Sequence, residues 1–147
     1  MMVYMSIYKR WQFDPNSGGV KIPENVKKDI IKRINKIAEE NFKGKYLEIQ
    51  IKFKNQFCYI NFFQDFTESD ILANFSEVDW GMSKAEFVQK QKTTPIHLCR
   101  LRYFGTDDWG FSFYTYSHQK YELSIFPNGA FFGKPEEAFL ASSMYFQ

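Results

Sequence analysis

The chain predicts an α+β domain: one antiparallel sheet of five to six strands, built from a hairpin (45–64) and a meander (96–126), with about three helices (24–43, 84–92, 135–146) packed mainly on one face. Three observations predict it. Residues 96–126 alternate with period two across three runs separated by polar turns. Residues 45–64 alternate in the same way across one tight turn. The remaining apolar stretches carry helical spacing and helix start or stop signals.

Taken in order, residues 7–13 (IYKRWQF) suit a short strand or an extended arm, which would be the sixth strand. Asp14-Pro15-Asn16-Ser17-Gly18-Gly19 is a loop signal. Pro23 then suits a helix start, and Val26, Ile30, Ile31, Ile34, Ile37 and Ala38 form one apolar stripe. Gly44 is a natural stop.

Leu47, Ile49, Ile51 and Phe53 point inward on the next run, and Glu48, Gln50, Lys52 and Lys54 outward. Asn55-Gln56 turns the chain, without the glycine that marks the strongest hairpins. Cys58, Ile60 and Phe62 then oppose Phe57, Tyr59, Asn61 and Phe63. Residues 65–82 hold five acids and no Lys or Arg, and read as a loop with one helical turn at 70–75. Ser83 and Glu86 fit a capping box, with Met82 and Phe87 as a hydrophobic staple, and Thr94-Pro95 ends that helix.

The meander strands are 96–104, 109–117 and 120–126, closed by Pro127-Asn128-Gly129. Strict alternation puts His97, Cys99, Leu101 and Tyr103 on one face and Arg100 and Arg102 on the other. By the same reading Tyr114, Tyr116 and Glu122 join the arginines, while Trp109, Phe111, Phe113, Tyr121, Leu123 and Ile125 oppose them. The helices are expected to cover the face bearing Leu47, Ile49, Ile51, Leu101, Phe111, Phe113, Leu123 and Ile125. Pro135, Glu136 and Glu137 open the last helix, whose Leu140, Ala141 and Met144 form its docking stripe.

A single domain is expected for 147 residues. Such a chain buries roughly 68–70% of its unfolded surface, enough to fold without a disulfide or metal. A net charge of +2 does not by itself point to nucleic acid or to a membrane surface. Two cysteines suit a reducing compartment, and no long apolar run or signal-peptide core is present, so a cytoplasmic protein without a membrane segment is expected.

Leu98-Cys99-Arg100-Leu101-Arg102-Tyr103, Phe113-Tyr114-Thr115-Tyr116-Ser117, Phe126-Pro127-Asn128-Gly129 and Gly133-Lys134-Pro135-Glu136-Glu137-Ala138-Phe139 together resemble a small bacterial domain family of unknown function, over about residues 96–140. The resemblance implies no activity, cofactor or site.

The chemistry the residues offer is limited. His97 and Cys99 share a strand face by alternation, and Cys58 and His118 could complete a zinc set, but no closely spaced ligand pair is present. Buried structural cysteines are the simpler reading. A Cys99–His97 nucleophile pair suffers from side chains roughly 6–7 Å apart along the strand. Asp107 and Asp108 read as turn residues, and Lys27, Lys28, Lys32, Arg33 and Lys36 as a solvated helix face. No phosphate-cradling loop, nucleophile elbow or metalloprotease helix appears, and no cofactor is implied. The feature with most functional content is the Arg100, Arg102, Tyr114, Tyr116 and Glu122 face. It suits a non-catalytic domain that binds a protein partner, because Tyr and Arg are favoured at interface centres. The alternatives are a single-stranded nucleic-acid binder, which would stack bases on the tyrosines and hold phosphates with the arginines, and a small enzyme without a recognisable motif.

Overall fold

The computed structural model describes residues 16–64, 71–73 and 81–145. The expected N-terminal strand and most of the acidic 65–82 stretch lie outside the described residues. The elements are α1 (Glu24–Phe42), β1 (Glu48–Lys54), β2 (Phe57–Phe63), α2 (Lys84–Thr93), β3 (Ile96–Tyr103), β4 (Trp109–Thr115), β5 (Lys120–Ser124) and α3 (Pro135–Ala141), ending in a 3₁₀ turn at Ser143–Tyr145. The five strands form one antiparallel sheet in chain order, so the α+β expectation and the three helices stand. Among the described residues no helix is long and apolar enough to cross a membrane.

Local chemistry accounts for the joints. The β1–β2 turn needs a left-handed residue, and Asn55 supplies it at φ 55°, which Asn tolerates better than most side chains. Ser83 caps α2 by accepting a hydrogen bond from the Glu86 amide at 3.2 Å. At the start of α3 the Glu137 carboxylate accepts from the Lys134 amide at 2.9 Å, satisfying a donor the helix leaves free.

One sheet face is the core face. Ile49, Cys58, Ile60, Phe62, Cys99, Leu101, Tyr103, Trp109 and Phe111 are buried there with Ile30, Ile34 and Ala38 of α1 and Ala138 and Phe139 of α3. Helices α1 and α3 also pack against each other. Burial of this much aromatic and aliphatic surface is the dominant stabilising term.

Several expected inward positions are not inward. Leu47 precedes β1 and is 58% exposed, and Ile125 follows β5 and is 50% exposed. Leu47 lies just before its strand, where the pleat does not direct it, and Ile125 continues the odd positions of β5, which pair with Tyr114 and Ser112 on the outer side. Ile31 is also exposed, at the rim of the α1 stripe. On α3 the docking side is Pro135, Ala138 and Phe139, spaced i, i+3, i+4, so Leu140 faces outward instead, and Met144, in the 3₁₀ turn after the helix, is also exposed.

Arg33 ties three elements together. From α1 it donates to both carboxylate oxygens of Asp107 in the β3–β4 turn (2.8 and 3.1 Å), to both of Glu136 in α3 (2.6 and 2.9 Å) and to Asp29 (3.2 Å). Asp107 also accepts from the indole of buried Trp109 at 3.0 Å. Lys27 and Lys36 pair with Glu24 and Glu40 on α1. The helix face is thus partly ion-paired, and both aspartates serve the turn as expected, Asp107 through Arg33 and Asp108 through its backbone.

Candidate binding face

The outer face is best read by register. In β3–β4, Arg100 pairs with Ser112 and Arg102 with Gly110, so both arginines point away from the helices, as alternation predicts. They are not open to solvent. Arg100 is 7% exposed and Arg102 3%. The Arg100 guanidinium lies 4.1 Å from the Phe57 ring centroid and 5.1 Å from that of Tyr121, and it donates to Asn16 Oδ1 at 3.3 Å. The Arg102 guanidinium lies 4.9 Å from the Phe104 ring and donates to the Ser17 carbonyl. Gly110 makes room for it: a Cβ there would sit 3.5 Å from Arg102 Nε and 3.3 Å from the Phe104 ring. The loop 16–22 is stitched down beside them by Val20 N–H to Tyr103 O (2.8 Å) and Ile22 N–H to Asn55 O (2.9 Å). A glycine inside a strand is a sequence signal of such close approach.

Four side chains differ from their expected faces, through two irregularities of register: His97 at a bulge, and Tyr121, Glu122 and Leu123, which pairs with Ser112, at the β4–β5 turn. Between β2 and β3, Ile60 pairs with Cys99 but Asn61 pairs with His97, leaving Leu98 unmatched in a β-bulge. The bulge reverses parity, so His97 leaves the Cys99 side and joins the arginine side. Cys58 and Cys99 stay fully buried among the core residues. The sheet therefore stands between His97 and the two thiols, and neither the zinc set nor the nucleophile pair is assembled. Burial raises both thiols: Cys58 lies well above the ordinary range, and Cys99 is pushed up to about 12 even though a Ser142 hydrogen bond pulls it the other way. Among the described residues no group of three metal-ligating side chains gathers.

The second difference concerns Glu122 and Tyr121. The four-residue turn 116–119 pairs Phe113 with Glu122 and Tyr114 with Tyr121. Paired residues share a face, so Tyr121 belongs with the arginines and Glu122 with Phe113. Glu122 accepts from or pairs with His118 Nδ1 at 2.7 Å, beside Lys120.

The face that results is an aromatic cluster around a histidine. The His97 ring centroid lies 4.5 Å from that of Tyr114, 6.2 Å from Tyr121 and 6.3 Å from Tyr116. Tyr114 and Tyr121 meet edge to face at 5.0 Å, and Tyr59 meets Tyr121 at 5.5 Å. The His97 amide donates to the Tyr116 hydroxyl at 2.7 Å. Behind the imidazole, Asn61 Oδ1 lies 2.9 Å from His97 Nδ1, and Asn61 Nδ2 donates to Gln50 Oε1 at 3.0 Å. Partial burial, reinforced by the Lys52 charge, holds His97 below the usual histidine range. Burial likewise raises the Tyr121 phenol, which stays neutral. Tyr116 is 49% exposed, while Tyr114, Tyr121 and His97 are partly exposed. An open depression of about 300 Å³ lies elsewhere, between Leu47, Glu48 and Phe63 and the end of α2, and includes none of these residues.

The chain matches no protein-family model, no curated protein and no solved structure.

Proposed function

We propose that this domain is a non-catalytic binding module that engages a protein partner through the tyrosine end of its outer sheet face: Tyr114, Tyr116, Tyr121 and His97. One observation carries the reading. Three tyrosines and a histidine, bound to one another by ring contacts and hydrogen bonds, reach the surface together with Tyr116 half exposed. Pre-ordered tyrosines give large contact area with little rotamer freedom left to lose on binding, and they keep a hydroxyl for specificity. Arg100 and Arg102 support the reading from beneath, as positioning residues that hold Tyr121, Phe57 and Phe104 in place. Their burial counts against single-stranded nucleic acid, because the guanidinium groups that would hold phosphates lie against rings instead.

The test places a photo-crosslinking phenylalanine at position 116, and at Lys28 on α1 as a control, in the native cell. A discrete adduct from position 116 alone, lost when Tyr114→Ala is added, is the expected result. Equal adducts from both positions, or none from 116, refute it. A salt-dependent anisotropy shift with a single-stranded oligonucleotide would instead revive the nucleic-acid reading.

A further inference from the structure

The hydrogen-bond order behind His97 determines what its exposed edge can accept. Asn61 is buried, and its Nδ2 donates to Gln50, so its Oδ1 faces the imidazole and must accept. With that amide order, His97 Nδ1, which also lies 3.5 Å from the Tyr121 hydroxyl, carries the proton toward Asn61, and Nε2, on the far side of the ring, keeps a lone pair. Among the described residues Nε2 has no hydrogen-bond partner. No buried side-chain nitrogen or oxygen among them lacks one, so Nε2 must reach solvent.

We propose that His97 Nε2 is an uncharged hydrogen-bond acceptor at the centre of the face, and that the site takes a neutral donor, a hydroxyl or an amide N–H, in preference to a carboxylate or a cation. The inference rests on the reading that this face binds a partner. Each neighbouring element contributes to the selection. Lys52 of β1 is close enough to bias the ring against charge, which disfavours a cation. Arg100 of β3, stacked on Tyr121, adds a second positive charge nearby. Tyr59 of β2, Tyr114 and Tyr116 of β4 and Tyr121 of β5 supply neutral rings and hydroxyls. No carboxylate of the described residues touches the imidazole. A carboxylate ligand would meet a lone pair with its own lone pairs, whereas an O–H or N–H meets it with a proton. Protonating the ring turns the acceptor into a donor and inverts the preference.

The experiment is NMR on the intact chain with labelled histidine. Long-range imidazole correlations at about pH 7.5 are expected to show Nδ1 protonated and Nε2 bare. Phenol and acetamide, titrated separately to distinguish a hydroxyl from an amide donor, should shift His97 and Tyr116 saturably, and acetate should not. The donor that binds should lose affinity as pH falls through the lowered pKa of the ring, because protonation removes the Nε2 lone pair. Asn61→Ala should release the tautomer and weaken donor binding, and His97→Gln serves as a second variant should that one unfold. Three outcomes overturn the proposal: a proton on Nε2, as when Gln50 donates to Asn61 and Asn61 to His97; a shift from acetate at pH 7.5; or no shift from either donor. A crosslinked partner at position 116 together with a protonated Nε2 would leave the interaction face standing and remove only this selectivity. Donor binding without a crosslinked partner would do the reverse.

Discussion

Replacing Arg33 by Met keeps most of the stem and removes the guanidinium that links α1, the β3–β4 turn and α3. The Arg33 side chain is 20% exposed, and those of Asp107 and Glu136 are 36% and 34% exposed. That places the network between an exposed pair, about 0.2–1 kcal/mol, and a buried pair broken on one side, about 3–5 kcal/mol. With two carboxylates each bound through both oxygens, the expected loss is about 2 kcal/mol. For a chain of this size that lowers Tm by roughly 4–8 °C. The pH dependence has a defined sign. Burial raises the Asp107 carboxyl, but the Arg33 and Trp109 hydrogen bonds outweigh it and leave the group below its ordinary value. A carboxylate lowered in the folded state contributes stability that is complete above its ordinary range and is lost as pH falls through the lowered value. The gap between wild type and Arg33→Met should therefore be full at neutral pH and shrink below about pH 4. Urea unfolding followed by far-ultraviolet circular dichroism across that range measures it. Asp107→Asn is the companion variant, since Asn tolerates the left-handed backbone at φ 59° and preserves an acceptor for Trp109. A loss under about 0.5 kcal/mol at neutral pH, the scale of an ordinary surface change, would refute the reasoning. So would a gap that does not change between neutral pH and pH 3.

Phe139 is fully buried and meets Phe42 edge to face at 5.8 Å, so Phe139→Ala should cost about 3–5 kcal/mol in urea unfolding, and a loss below 1 kcal/mol would mean that α3 is not docked. Gly19→Ala introduces a Cβ 2.6 Å from the Tyr103 carbonyl at a φ of +87°, so the Val20 amide should exchange with solvent at least about tenfold faster as that segment leaves the sheet. Cys58 and Cys99 are fully buried with raised thiols, so neither should react with iodoacetamide at pH 8 until urea is added; mass spectrometry that finds either labelled in the native protein contradicts their place in the core.

Strands and helices were legible because their signals are local. The alternation at 45–64 and 96–126, the Ser83 cap and the α1 stripe all act over a few residues. The outward direction of Arg100, Arg102 and Tyr114 was legible for the same reason. Three features of the face were not. Taking Tyr121 as inward because it is apolar and Glu122 as outward because it is charged reverses the hairpin's own geometry. A four-residue turn pairs odd positions with even ones, which puts Tyr121 opposite Tyr114. The bulge at Leu98 is invisible to strict alternation, because nothing in the local run marks where pairing slips by one residue. The stacking of both arginines depends on Phe57, Tyr121, Phe104 and the loop holding Asn16 and Ser17, which are distant along the chain.

By itself, then, the sequence determined the fold class, the number and order of the described strands and helices, and the outward direction of the two arginines, because side-chain parity and capping are settled by neighbours a few residues away. Tertiary structure alone decided that the arginines lie beneath an aromatic layer, that His97 joins the tyrosines and that Glu122 does not. Those outcomes depend on how one strand registers against the next, and register is set by turn length, bulges and long-range packing rather than by any single stretch of chain.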